Sequence, residues 1–196
     1  MKRVFLFLSI FFLFAFALLS KYEDRAIIRN LDFTVTVKVQ DFIGKFCTTR
    51  CDGLFEDIGF FASPLFSIAA IIVFATKRKS LLIPVLFALL TLAEMYGKTI
   101  VGHPAPPFFM LKNPTTIFPT YHVWQEFSYP SGHAARAMFL ALLAYPFIKK
   151  KSWIGFGLAA YIGLISFSRI YLGHHWFSDV VGGWLLGAGT AFFITL

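Results

Sequence analysis

The sequence predicts an all-α fold: a polytopic membrane helical bundle of about six transmembrane helices, both termini cytoplasmic, forming a single integral membrane domain over 1–196. Three observations predict it. Of 196 residues, 58% are hydrophobic, 26 are phenylalanine and only 14% are charged, too little polar surface for a water-soluble domain of this size. Six continuous apolar runs, near 4–19, 58–76, 81–101, 134–148, 153–171 and 177–196, approach the roughly 20 helical residues that cross a ~30 Å hydrocarbon core. They are continuous rather than alternating, so they read as helices and not as barrel strands. Finally, basic residues recur in alternate connections, as in a chain threaded back and forth through a bilayer.

The first run follows Lys2 and Arg3, as a signal peptide's would. It ends in Leu18-Leu19-Ser20-Lys21 without a small-x-small cleavage site, so a retained anchor is expected. Residues 20–57 follow as a mixed-charge amphipathic segment, which divides the chain into 1–57 and a core over 58–196. Within that segment Cys47 and Cys51 are spaced C-x3-C. An oxidising compartment permits a disulfide there, a regular helix between the two would strain it, and two free thiols are an equal alternative.

Lys77-Arg78-Lys79 separate the second and third runs, and Lys149-Lys150-Lys151 the fourth and fifth. Such short basic connections belong in the cytoplasm. Residues 20–57, 102–133 and 172–176 then face the opposite, outer side. Seven of the ten acidic residues fall in 20–57, so the net charge of +8 is mostly an orientation signal. Anionic headgroups are a secondary partner and nucleic acid is not an expected one. Residues 102–128, with Pro104, Pro106, Pro107, Pro114 and Pro119, read as an ordered non-helical loop. All five histidines (103, 122, 133, 174 and 175) lie in outer segments or at outer span ends, together with Lys98, Arg169 and Asp179. A bundle built only for packing has no reason to gather its titratable groups on one face.

Three clusters on that face carry chemistry. The first is Lys98-Thr-Ile-Val-Gly-His-Pro-Ala-Pro106, with Glu94 one turn before Lys98; alone it reads as a snorkelling lysine paired with a carboxylate. In the second, Pro130 stops a helix and Ser131-Gly132 begin another, whose unpaired amides and dipole suit an anion. His133 then falls in the first turn, placed to move a proton. Ordinary capping by Ser131 is the plainer reading, but it leaves Arg136 unexplained. The third is Ser168-Arg-Ile-Tyr-Leu-Gly-His-His-Trp-Phe-Ser-Asp179. His175 and Asp179 are spaced i, i+4 and would share a face of a helix, where the carboxylate fixes the tautomer and frees the other ring nitrogen for attack. His174, His175 and Asp179 also look like zinc ligands, but no further ligands complete a set.

In this order the clusters resemble the three signature motifs of the type-2 phosphatidic acid phosphatase superfamily, most closely its bacterial six-span lipid phosphatases, over roughly 58–196. The second motif is complete, and the third reads S-R-x5-H-x3-D. The first departs from K-x6-R-P, since Ala105 stands where the arginine belongs, with His103 the nearest stand-in. Losing one charge-assisted phosphate donor costs about 2–4 kcal/mol of transition-state stabilisation when nothing replaces it.

The resemblance implies a phosphatase core over 58–196 that hydrolyses a phosphate monoester or pyrophosphate on a membrane lipid at the extracytoplasmic face. It assigns His175 as nucleophile, Asp179 as its orienting partner and His133 as general acid and base. Lys98, Ser131, Gly132, Arg169 and His103 would bind phosphate. No metal or cofactor is expected. Undecaprenyl pyrophosphate, phosphatidylglycerol phosphate, phosphatidic acid and a lipid A-like phosphate are the candidate substrates, in the cell (inner) membrane. Two other classes compete: a weakly active or inactive lipid-phosphate binder, suggested by Ala105, and a transporter. A transporter should line a path through the bilayer midplane with polar residues, whereas here they collect at one end.

Overall fold

A computed structural model describes residues 2–47, 49–118, 126–147 and 152–195. Eight α-helices are described: α1 (Lys2–Tyr22), α2 (Ala26–Gly44), α3 (Thr49–Phe60), α4 (Pro64–Arg78), α5 (Leu82–Ile100), α6 (Gly132–Ala144), α7 (Ser152–Tyr171) and α8 (Phe177–Phe192). Among the described residues four segments are long and apolar enough to cross a membrane: Lys2–Tyr22, Arg50–Arg78, Leu82–Ile100 and Trp153–Tyr171. The basic run 149–151, His122 and Pro119 lie outside the described residues.

The helix boundaries correct the expected spans where local chemistry intervenes. The run expected at 58–76 is broken, because Ser63 caps a new helix, its Oγ accepting from the Phe66 amide at 3.2 Å with Pro64 at the first position. The run expected at 134–148 starts two residues earlier and stops at Ala144. Pro146 cannot extend it, and a 3-10 turn, Tyr145–Phe147, follows. At 13 residues α6 is about 20 Å long, shorter than the hydrocarbon core. It is also the most enclosed helix, with buried side chains around nearly its whole circumference. It packs against α4, α5, α7 and above all α8, and α8 in turn carries α1 and α2.

Glycines set that packing. A Cβ on Gly183 would lie 2.5 Å from the Ser131 carbonyl oxygen, and one on Gly187 would strike the Ala135 carbonyl. The α8 backbone therefore lies directly against α6, as small residues allow between membrane helices. Gly189 extends the same logic to α1, where Leu13 packs on it and Ser9 Oγ donates to its carbonyl. An apolar cluster including Ile83, Leu90, Phe139, Leu143 and Leu186 closes the interior between α5, α6 and α8. At the C-terminal end of α6, Arg78 Nη2 donates to the Leu143 carbonyl at 3.4 Å, and Phe5 stacks on Phe192. The other end of α6, where Ser20 Oγ donates to Tyr129 Oη at 3.1 Å, holds the histidines.

The amphipathic segment expected at 20–57 is largely two helices, and four of their polar residues, Asp32, Thr36, Glu56 and Asp57, turn inward. Asp32 of α2 accepts from the amide and the hydroxyl of Ser178, each at 2.7 Å. Gln40 Nε2 donates to the carbonyls of Met110 and Tyr171, and Asp57 accepts from the Ile117 and Phe118 amides. Residues 26–60 thus tie the loop after α5 to α7 and α8. Cys47 and Cys51 form a disulfide, Cα atoms 5.5 Å apart. The turn between α2 and α3 removes the regular helix that would have opposed it. The ends of the loop after α5 pair as an antiparallel bridge, Pro104 to Phe127, with Ala105 N–H donating to Glu126 O.

Candidate active site

Three segments far apart in sequence line one cavity of about 290 Å³ at the N-terminal end of α6. Glu94 and Lys98 come from α5, Gly132, His133 and Arg136 from α6, and His174 and His175 from the α7–α8 turn; Ala105 completes a wall. The glycine before the histidines is required. Gly173 has φ +72°, and a Cβ there would strike the Met110 carbonyl.

His175 is not on a helix. It lies in the turn before α8, so the shared helical face expected for His175 and Asp179 is replaced by a turn folded over the first turn of α8. The pair still meets: His175 Nδ1 is 3.4 Å from Asp179 Oδ2, which also accepts the Trp176 amide at 2.8 Å. The amides of His174 and His175 both donate to Arg169 O, which holds the turn. Burial lowers the His175 pKa below 6.5, Asp179 opposing and the nearby Lys98 and Arg169 reinforcing the shift. At neutral pH the imidazole is therefore uncharged, with Nε2 unprotonated when Asp179 fixes the proton on Nδ1.

His133 lines the cavity from the first turn of α6. Ser131 lies behind the wall and caps this helix, its Oγ accepting from the Ala134 amide at 3.4 Å. The Ser131 amide donates to Asp179 O at 2.9 Å, which locks the start of α6 to that of α8. Lys98 reaches the cavity and lies 3.5 Å from Glu94 Oε1. Arg136, which capping alone left unexplained, donates to Glu94 Oε2 at 2.7 Å and through Nε to Ala62 O at 2.8 Å.

Besides Ser131, two more expected phosphate ligands sit away from the cavity. His103 does not face the cavity and is corrected from stand-in clamp to partner of Asp179. Its Nδ1 lies 3.0 Å from both Asp179 Oδ1 and Glu23 Oε2, and its Nε2 lies 3.8 Å from Asp32 Oδ2. Three carboxylates surround it, a setting that repels an anion. Burial lowers its pKa, but Asp179, Glu23 and Asp32 more than offset this and hold it above the ordinary value. The Arg169 guanidinium is also turned from the cavity. It packs over Gly59, pairs with Glu56 Oε2 at 3.1 Å, donates to Phe55 O and lies 3.1 Å from His174 Nδ1.

His174 lines the cavity beside His175, where consecutive residues of a helix would point about 100° apart. Among the described residues no group of three or more His, Cys, Asp or Glu side chains is arranged to hold a metal ion. Sequence reading passed over Glu23, Asp32 and Glu56, which counted only as charge balance in 20–57. Their only signal was that acidity concentrates in one segment, 20–57, expected on the same side as the histidines.

Two curated relatives share sequence with the chain. An undecaprenyl-diphosphatase of Sulfolobus acidocaldarius is 32% identical over 128 residues, 63% of this chain and 58% of that protein. Phosphatidylglycerophosphatase B of Bacillus subtilis is 39% identical over 70 residues, 32% of this chain and 34% of that protein. The chain thus spans well under two thirds of either relative. Among solved structures, a transmembrane PAP2-type phosphatidylglycerolphosphate phosphatase from Bacillus subtilis superposes with a TM-score of 0.75 at 20% identity, covering 95% of this chain and 94% of that one. Aquifex aeolicus LpxE gives 0.65 at 24% identity, covering 88% and 98%. Both likenesses speak for the fold. Residues 79–196, which hold every motif described above, match the PAP2 superfamily, and the chain belongs to that family.

Proposed function

We propose that this protein is a multi-pass membrane lipid phosphatase that hydrolyses a phosphate monoester or pyrophosphate through a phosphohistidine, without metal. The observation that supports it most is the meeting of His175, His133, Lys98 and the start of α6 on one cavity. In the first step His175 Nε2 attacks phosphorus, the bond from phosphorus to the leaving oxygen breaks, and His133 gives that oxygen a proton. In the second, His133 takes a proton from water as the water oxygen attacks phosphorus, and the phosphorus–nitrogen bond breaks. Lys98 and the Gly132 amide neutralise the phosphoryl oxygens. Asp179 orients His175, and Arg169 and Ser131 hold the turn and the helix start that carry the histidines.

The chain is read as one integral membrane domain of six spans, α1 and α4–α8, with both termini cytoplasmic and the cavity extracytoplasmic. In support, Arg78 of the basic connection and the start of α1 lie at the end of α6 opposite the cavity. The substrate class is an amphiphile whose phosphate reaches headgroup depth: undecaprenyl pyrophosphate, phosphatidylglycerol phosphate, phosphatidic acid or a lipid A-like phosphate.

A second reading, a lipid-phosphate binder of weak or no activity, is favoured by Ala105 on the cavity wall where the motif carries arginine. One assay separates them. Purified protein is offered each lipid phosphate with and without EDTA, and released phosphate is measured. The phosphatase reading expects release that EDTA leaves unchanged and that His175→Ala abolishes. Binding without release would favour the binder, and loss of release in EDTA would overturn the metal-free mechanism.

A further inference from the structure

The cavity proposed to take a phosphate already contains an anion of the protein's own. Glu94 Oε2 accepts from Arg136 at 2.7 Å, and Oε1 lies 3.5 Å from Lys98 Nζ. The carboxylate lies so close over Gly132 that a Cβ there would fall within it. One carboxylate thus touches both cations of the cavity wall and covers the first residue of α6, where helix amides lack intrahelical partners. Its own helix places it there: Glu94 and Lys98 are spaced i, i+4 on α5 with the acid nearer the N-terminus, the favourable order.

We propose that Glu94 is an internal stand-in for the substrate's phosphoryl group, holding Lys98 and Arg136 in place while the cavity is empty and leaving Gly132 when a phosphate enters. The proposal rests on the reading of this cavity as a phosphate site. Physically, a ready-made anion cradle is costly when vacant. Arg136 is 5% exposed, and a buried guanidinium without a counter-charge is strongly unfavourable. Glu94 removes that cost with two oxygens. A phosphoryl group brings three, enough to take both cations and an α6 amide together. Once Glu94 has swung aside its negative charge stays near the product, which favours phosphate release. Arg136 thereby becomes a phosphate ligand in a chain that lacks the motif arginine.

The test reads phosphate binding separately from turnover. Inorganic phosphate is titrated into purified wild type, Glu94→Gln and Glu94→Asp by calorimetry, and phosphate inhibition of lipid hydrolysis is measured alongside. With the competing charge removed, Glu94→Gln should bind phosphate at least about tenfold tighter and be more strongly product-inhibited, a factor of the size expected for one charge-assisted contact. Glu94→Asp keeps the charge but draws it back by one carbon–carbon bond, about 1.5 Å, and should bind with intermediate affinity. It also carries the test should Glu94→Gln fail to fold. If Glu94 only braces Lys98 and Arg136, both variants will bind phosphate more weakly than wild type, and the proposal is wrong. Unchanged affinity overturns it equally. Hydrolysis by the wild type together with unchanged affinity in the variants would leave the phosphatase reading standing without the Glu94 role. Tighter phosphate binding without any hydrolysis would do the reverse. No phosphate binding in any of the three would reject both.

Discussion

At the scale of single residues the site is a pair of imidazoles sharing one carboxylate. Asp179 faces His175 with Oδ2 and His103 with Oδ1, so the proposed nucleophile is oriented by a group that is itself held from behind. If His175 bonds to phosphorus and His133 only moves protons, their alanine variants must differ. His175→Ala should give no acid-labile phosphoenzyme, whereas His133→Ala should form it with an activated leaving group and accumulate it for want of a base. A rapid alkaline quench, which spares the acid-labile phosphorus–nitrogen bond, reads both, and label that persists in His175→Ala would show that another residue is the nucleophile. Behind Asp179, the one N–H on His103 Nδ1 faces two carboxylates, and burial pushes the Glu23 pKa up to about 7 from 4.5. The folded state therefore holds that proton more tightly than the unfolded one. Its stabilisation is full below pH 4.5 and is lost as pH rises through about 7. His103, raised above 6.5, acts with the same sign. Melting temperature in detergent should fall from pH 6 to pH 8, and Glu23→Gln should flatten that fall by a few degrees. A wild type that grows more stable over this interval would contradict the assignment.

At the scale of elements, the start of α6 is positioned by its contact with α8. Gly183 and Gly187 bring the two backbones together, and the Ser131 amide on Asp179 O sets the register of His133 against His175. Gly183→Val should force the helices apart, at a cost of about 1–3 kcal/mol for overpacking, with a lower melting temperature and loss of activity. Gly157→Ala is the contrast, because nothing lies within 4 Å of a Cβ there; it should leave both unchanged or slightly raise stability. Equal effects of the two substitutions would mean that α6–α8 contact does not set the site.

At the scale of the whole molecule, orientation decides which leaflet supplies the substrate. Asn113 lies on the loop at the cavity end, and Ser80 lies on the basic α4–α5 connection at the other. Both native cysteines are tied in the disulfide, so a single introduced thiol is readable. A membrane-impermeant reagent applied to intact cells should label Asn113→Cys and spare Ser80→Cys. The reverse pattern would put the cavity on the cytoplasmic side and change the leaflet that supplies substrate.

What the sequence determined by itself is what short-range chemistry encodes. Apolar runs specify membrane helices because the bilayer offers the backbone no other partner. Ser131-Gly132 after Pro130 specifies a helix start, and the spacing of Lys98, His133, His175 and Asp179 marks one face, since each motif is local and the runs between them have span length. Ser63-Pro64 was as legible a start signal, yet the apolar run around it concealed the break. Only the tertiary structure decided which polar groups face the cavity. Asp32 meets Ser178 across 146 residues, His103 turns toward carboxylates instead of the cavity, and Glu94 closes on Arg136 from another helix. The physical reason is that a buried charge must find its partner through space. Which partner it finds depends on how helices pack, and that follows from glycine contacts and carbonyl positions that no local spacing encodes.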